Sequence, residues 1–305
     1  VVKDYLLVRT SQIQFFKTVP FYCQSKDGEF ILYKQKDEIL ARERADANRY
    51  PPLFIHSRDK EKALKELTRR LNIELARQVA SGGLAAIKAA LSNIVREALA
   101  PDQETAMLAL PETLDILFSN MDRNHTTMEY LTKIAITSDL LVEHTINVMT
   151  LTLQYCFFMD LPEKETTTLA LCALLHDVGM SRIDKKIVES KKRLSEKEFS
   201  SYKTHAELGH DMIVLNTDFD VAVANVALEH HERLDKSGYP NAANILSQEG
   251  QLIGMIDSYE ALTYQSKPFR KAKSPFKTLR MIKDEVIAGK FSRELFKNFT
   301  SCLTR

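Results

Sequence analysis

Leucines and alanines recur every three or four positions from residue 58 to about residue 100. That interval is one face of an α-helix. Pro101-Asp102 interrupts the run, and the helical pattern resumes to Thr137. These stretches read as connecting helices, which could relay a signal, form a dimer or fill space. Beyond them the periodicity predicts helix almost to the end. DLLVEHTINVMTLTLQYCFFM is an apolar-striped helix. PEKETTTLALCALLHDVG is the next, with Pro162 at its first turn and Gly179 placed for a C-cap. SEKE at 195–198 is a capping box that opens a helix expected to run through His205. Asp218 to His231 reads as one helix and SQEGQLIGMIDSYEALT as another. In SPFKTLRMIKDEVIAG, Ser274 is the N-cap, Pro275 the first-turn residue and Gly289 the exit.

The first 60 or so residues follow a different rule. VPFYCQSKDGEFILYKQ holds two apolar-aromatic runs around a Gly-containing loop, which predicts a hairpin. DEILARERADAN reads as a short helix and PPLFIHS as a further strand. His56 stands alone there and is expected to be structural. The fold class is therefore mainly α: a C-terminal helical bundle preceded by a small α+β domain and connecting helices. Boundaries are expected at 1–62, 63–119 and 120–305.

Length and composition narrow the function. A chain of 305 residues accommodates two domains. The net charge of +1 gives no whole-molecule field for a nucleic acid polymer, so anion binding must come from local clusters. The four cysteines are scattered, with no CxxC, and Cys156 and Cys172 read as small core residues. No apolar run is long enough to predict a membrane span, and VVKDYLLVRT does not read as a signal peptide. A reducing, cytoplasmic setting is the expectation, and Val1 in place of an initiator methionine leaves the true start open.

The candidate chemistry lies in five histidines. His144, His176, His205, His230 and His231 each fall within or at the end of an apolar helical stretch. A buried imidazole costs free energy unless it is hydrogen-bonded or ligated. One such residue is usually a satisfied core histidine. Five on successive helices can converge on one interior point of a bundle. Asp177 follows His176, and Asp257 sits among apolar residues, where a carboxylate is at home beside a divalent cation. Five imidazoles and two carboxylates exceed the needs of one metal and suit two, with Asp177 as the natural bridge.

LLHDVG, THAELG, HHERLDKSGYP and IDSYEALT occur in that order, with LVEHTINV upstream. This set resembles the HD-GYP family, a branch of the HD-domain metal-dependent phosphohydrolases, over roughly residue 120 to the end. The resemblance implies a helical bundle around a metal centre and hydrolysis of cyclic di-GMP. One metal would take His144, His176, Asp177 and Asp257. The second would take Asp177, His205, His230 and His231. Glu232 and Asp235 would orient ligands, and Gly238-Tyr239-Pro240 would turn the loop over the site. Some members hold a third metal through a glutamate where this chain has Leu140, so two ions are expected, iron by family likeness with manganese as the alternative. The products would be pGpG and then GMP, from attack by a water activated between the metals. The N-terminal part resembles, weakly, the small regions that precede some such domains, and a homodimer or a signalling-protein partner is left open.

Basic residues fill the stretch after Ala261, where KPFR is similar to the family's R-P-Y-R segment. Lys267 and Arg270 are the expected substrate contacts, with Arg182 as a further candidate. Three positions depart from the family pattern: Met180 stands where HDxGK has lysine, Lys236 replaces a glycine, and Glu260 replaces an aspartate. The altered positions suit a slow phosphodiesterase. The alternative they also suit is a catalytically weak cyclic-dinucleotide receptor or protein-docking module that keeps its metal centre.

Overall fold

The structure is a computed structural model that describes residues 4–41, 49–101, 104–120, 140–264 and 271–304. It forms two compact units, Val1–Arg77 and Gln78–Arg305, against sequence boundaries drawn at 62 and 119.

The first unit holds a four-stranded antiparallel sheet in the order β1-β4-β2-β3. Its strands are β1 (Tyr5–Leu7), β2 (Phe21–Gln24), β3 (Phe30–Lys34) and β4 (Leu53–His56). The hairpin is β2–β3, and Gly28 takes φ +85° in its loop, a conformation without steric cost only for glycine. Strand β1 has no distinct sequence signal; its Tyr5 stacks on Phe30 with ring centroids 4.0 Å apart. Helix α1 (Lys60–Ser81) buries Leu64, Leu67, Leu71 and Leu75, the expected helical interval. The Glu66 carboxylate of α1 accepts from the backbone N–H groups of Lys17 and Thr18 at 2.8 and 2.9 Å and so fastens the helix to its own unit. His56 is structural: its Nδ1 accepts from the Arg58 N–H. Most of the expected short helix, residues 42–48, lies outside the described residues.

The second unit is helical throughout its described residues. Gly82-Gly83 separates α1 from α2 (Leu84–Ala98), and α3 (Leu110–Asn120) follows the Pro101 break. The expected continuation to Thr137 lies outside the described residues. Helix α4 (Leu140–Phe158) is buried on nearly every face from Val142 to Cys156, as befits a helix apolar all round. Helices α2, α5 (Glu163–Leu175), α10 (Gln248–Thr263) and α12 (Arg293–Leu303) pack on it. The short α6 (Lys185–Val188) leads to α7 (Glu196–Lys203), which opens on the predicted capping box. Helix α8 (His205–Asn216) packs on α9 (Val221–Glu229), and α11 (Pro275–Ile287) on α10. Ser274, Pro275 and Gly289 take their expected roles around α11. No helix among the described residues is long and apolar enough to cross a membrane. The free cysteines 156 and 172 are buried, as expected of small core residues.

Three boundaries differ from the sequence expectation. The helix opened by Ser195 stops at Lys203, and Thr204 separates it from α8, so His205 begins a helix instead of ending one. The helix expected from Asp218 to His231 runs only from Val221 to Glu229, with the Asp220 carboxylate capping the Ala222 N–H. Gly179 is not a C-cap. It lies in a 3-10 turn, Val178–Arg182, where a Cβ would strike the His205 carbonyl and the Gly209 N–H. The absence of a side chain lets that turn lie directly on α8.

Candidate metal centre

The five helices α4, α5, α8, α9 and α10 each deliver polar side chains to one interior region. His144 projects from the first turns of α4, His176 caps the C-terminus of α5, and Asp177 follows it. His205 opens α8, His230 caps α9, His231 comes next, and Asp257 lies within α10. Gly254 makes the last approach feasible, because a Cβ there would meet the His230 carbonyl.

The seven side chains form two groups. Ligand atoms of Asp177, His205, His230 and His231 lie within 4.8 Å of one another, as do those of His144, His176 and Asp257. Asp177 stands between the groups. Its Oδ2 is 3.7 Å from His144 Nε2 and 3.6 Å from His176 Nε2, while its Oδ1 is 3.3 Å from His205 Nε2 and 3.6 Å from His230 Nε2.

Hydrogen bonds on the far side of the rings select the tautomers. Nδ1 of His176 donates to the Ala173 carbonyl, that of His205 to Tyr202, and that of His230 to Ala227, at 2.8, 2.7 and 3.0 Å. His144 Nδ1 donates to Glu260 Oε2. With Nδ1 as the donor, the Nε2 atoms of these rings are turned inward, where a cation could take their lone pairs. The nitrogens crowd together: Nε2 atoms are 3.2 Å apart in His144 and His176, and 3.4 Å apart in His205 and His230. Asp177 Oδ1 is buried and accepts no hydrogen bond among the described residues. Inward ring nitrogens and an orphaned carboxylate oxygen gathered at one point are satisfied together by cations, so the donor set fits divalent metals. Mixed nitrogen and oxygen ligands suit iron, manganese or zinc.

Protonation equilibria agree with ligand chemistry. Burial pushes His176 down to about 4, and burial also lowers His205 and His231, which disfavours their charged forms. Burial alone would raise Asp177, but His176, His230 and His205 hold it well below the usual carboxylate range. His144 runs the other way. Burial opposes its charge, yet Glu260 and Asp257 hold it well above an ordinary imidazole. Loading a cation on its Nε2 would therefore displace a proton.

Glu232 and Asp235, expected to orient ligands, turn toward the loop. Glu232 accepts from the backbone N–H groups of Asn241 and Ala243, at 2.6 and 3.0 Å. Asp235 is exposed and accepts from the Ser237 N–H and hydroxyl, an Asx turn. Gly238-Tyr239-Pro240 folds back so that Tyr239 N–H reaches the His231 carbonyl at 3.3 Å and its ring lies 4.6 Å from the His231 ring. Phe199 and Lys203 of α7 complete this wall, with Lys203 Nζ 5.9 Å from the Tyr239 centroid. Arg182 is exposed at the end of its turn, and Met180 is buried in it. Lys267 and Arg270 lie outside the described residues.

Behind the candidate ligands stand Glu260, which the sequence marked only as a departure from the family pattern, and Asn147 and Arg233, which it did not mark. Glu260 serves His144 with one oxygen and accepts from Asn147 Nδ2 with the other, at 2.9 Å. Arg233 donates to the carbonyls of His230 and Glu232 and to Ser258 Oγ, tying the α9 exit to α10. A sequence signal for the first pair existed: Asn147 and Glu260 each stand three residues after a candidate ligand, on the same helix face.

The HD domain family matches residues 127–295, more than half of the chain. The cyclic di-GMP phosphodiesterase PA4108 of Pseudomonas aeruginosa is 24% identical over 194 residues, 63% of this chain and 46% of that protein. A cyclic di-GMP phosphodiesterase of Thermotoga maritima is 30% identical over 145 residues, 46% of this chain and 39% of that one. The 3'3'-cGAMP-specific phosphodiesterase 1 of Vibrio cholerae is 28% identical over 130 residues, 42% and 30% of the two chains. The chain thus spans less than half the length of these relatives. Among solved structures, Bd1817, a HDG"Y"P protein from Bdellovibrio bacteriovorus, superposes with a TM-score of 0.61 at 17% identity, covering 99% of this chain and 100% of that one, a likeness of fold.

Proposed function

The chain belongs to the HD-domain family, in its HD-GYP branch, and from that premise we propose that it hydrolyses a cyclic dinucleotide, cyclic di-GMP first, to linear pGpG and then GMP. The observation that supports this reading is Asp177, whose two oxygens face two separate groups of imidazole nitrogens. Two divalent ions bound there, iron in the family-based reading or manganese, would supply Lewis acidity to the phosphate and bring a water's pKa toward neutrality.

The chain's own residues do the positioning. Asp177 spaces the two groups, with His144, His176 and Asp257 on one side and His205, His230 and His231 on the other. Backbone carbonyls and Glu260 hold the imidazole protons on Nδ1, so that the nitrogens facing the substrate side are bases. In this reading Lys267 and Arg270 grip the phosphate, for which a guanidinium offers a bidentate fork, and exposed Arg182 assists.

A second reading rests on Met180. An apolar side chain, 5% exposed, occupies the position where the family resemblance places a phosphate-contacting lysine. That substitution favours slow turnover, and at its limit a receptor that binds the dinucleotide without cutting it. The test is protein reconstituted with Fe(II) or Mn(II) and incubated with cyclic di-GMP, with 3'3'-cGAMP in parallel. Linear product over several turnovers supports the phosphodiesterase. Binding without product supports the receptor. Neither binding nor product rejects both.

A further inference from the structure

Lys88 is a charged side chain with no exposed surface. It lies near the start of α2, in the connecting helices and outside the residues that match the HD domain family. Its ammonium is 2.8 Å from Glu143 Oε2 and 3.2 Å from Asn147 Oδ1. Asn147 Nδ2 donates to Glu260 Oε1 at 2.9 Å, and Glu260 Oε2 takes the His144 Nδ1 proton. A continuous chain of polar contacts thus runs from α2, through α4 and α10, to a candidate metal ligand.

We infer that Lys88 is a positioning residue for the His144 side of the metal centre; the inference rests on the metal reading above. The direction of each hydrogen bond forces it. An ammonium has donors and no acceptor, so the Asn147 oxygen must face it. The amide NH2 must then face Glu260, and the carboxylate, pinned by that donor, presents its second oxygen to His144. Nδ1 keeps its proton, and Nε2, the atom left for a metal, faces Asp257 and His176, 3.2 Å from each. Glu143 balances the lysine charge, so Lys88 need not draw Glu260 away from the ring. Without the ammonium, the Asn147 amide is free to turn its oxygen toward Glu260. The carboxylate then loses the donor that orients it, and His144 loses its fixed tautomer.

The experiment is a Mn(II) titration of the full chain, with chelator competition and elemental analysis, on wild type, Lys88→Met, Lys88→Arg and Asn147→Leu. Circular dichroism checks folding. Removing a partner of this kind costs a metal site about 10- to 100-fold in affinity. One of two Mn(II) ions should weaken by that factor in Lys88→Met and Asn147→Leu while the other is unchanged. Lys88→Arg should recover most of the loss, and the Lys88→Met/Asn147→Leu double variant should be no worse than either single. Wild-type affinity for both ions in folded Lys88→Met, or equal weakening of both, overturns the inference. If Lys88→Met does not fold, Asn147→Leu decides by the same criteria. A wild-type chain that takes up no Mn(II) fails at an earlier step: it removes the metal centre, and the inference with it.

Discussion

Glu260 accepts the Nδ1 proton of His144 at 2.5 Å, from 116 positions away in the chain. Both side chains are buried, and Glu260 has no exposed surface. In the family pattern an aspartate stands at this position; here the longer carboxylate reaches the ring and Asn147 together. Replacing it by glutamine keeps the volume but sets an NH2 group against either the imidazole N–H or the Asn147 amide. Glu260→Gln is expected to weaken one of two metals by about 10- to 100-fold, read by chelator competition. Unchanged affinity for both ions would mean that the ring needs no such anchor.

In the proposed reaction, Met180 is expected to limit the rate. A hydrogen bond to a charged group is worth about 1.5–3 kcal/mol, or roughly ten- to a few hundredfold. Met180→Lys is expected to raise turnover of cyclic di-GMP by a factor in that range. Because position 180 is buried, the same variant should melt at a lower temperature in the absence of nucleotide. A folded variant with the wild-type rate removes the missing lysine as the cause of slow turnover.

Lys236 occupies the left-handed region, with φ +66°, where the family pattern has glycine. An L side chain pays about 1–2 kcal/mol there, part of which glycine returns through its greater freedom in the unfolded chain. Lys236→Gly is therefore expected to stabilise the protein by about 0.5–1 kcal/mol in urea denaturation. A loss of stability would show that the lysine side chain contributes more than its backbone costs.

Acid should weaken the metal-free chain well before its carboxylates titrate. Burial holds His176 near 4 and lowers His205 and His231, whereas an unfolded chain protonates such rings below about 6.5. From about pH 6.5 down to 4 the unfolded state binds more protons, so stability falls as pH falls. His144 has the opposite sign: its raised pKa gives stability that is complete below about 6.5 and fades as pH rises through its folded value. Below pH 6.5 the His144 contribution is constant, so the three lowered rings set the slope there. The melting temperature of chelated protein should drop from pH 6.5 to 4, and His176→Gln should make that slope shallower. A flat or rising profile contradicts the burial of neutral imidazoles.

The sequence carried the site further than it carried the site's supports. His144, His176, Asp177, His205, His230, His231 and Asp257 were legible because imidazoles and carboxylates are conspicuous among apolar residues at helical spacing. The β2–β3 hairpin and the caps at Ser195 and Ser274 were legible because their signals are local. Lys88 was not. A lysine on a helix reads as solvated, and its burial depends on Glu143 and Asn147, more than fifty residues away. The break at Thr204 was hidden for a related reason: the residues on both sides favour helix, and only packing of the 178–182 turn onto α8 decides where one helix stops. Glu232 and Asp235 looked like ligand partners by proximity in the chain, but nearby backbone N–H groups take their oxygens first.

Two glycines near candidate ligands rest on the main chain of other candidate ligands: Gly179 on His205, and Gly254 on His230. The gauge between the two halves of the centre is thereby written in peptide groups in direct touch, not in the reach of flexible side chains. In the proposed metal centre, exchanging one candidate ligand for another would leave that gauge alone, whereas a single added methyl at either glycine would press on the main chain opposite.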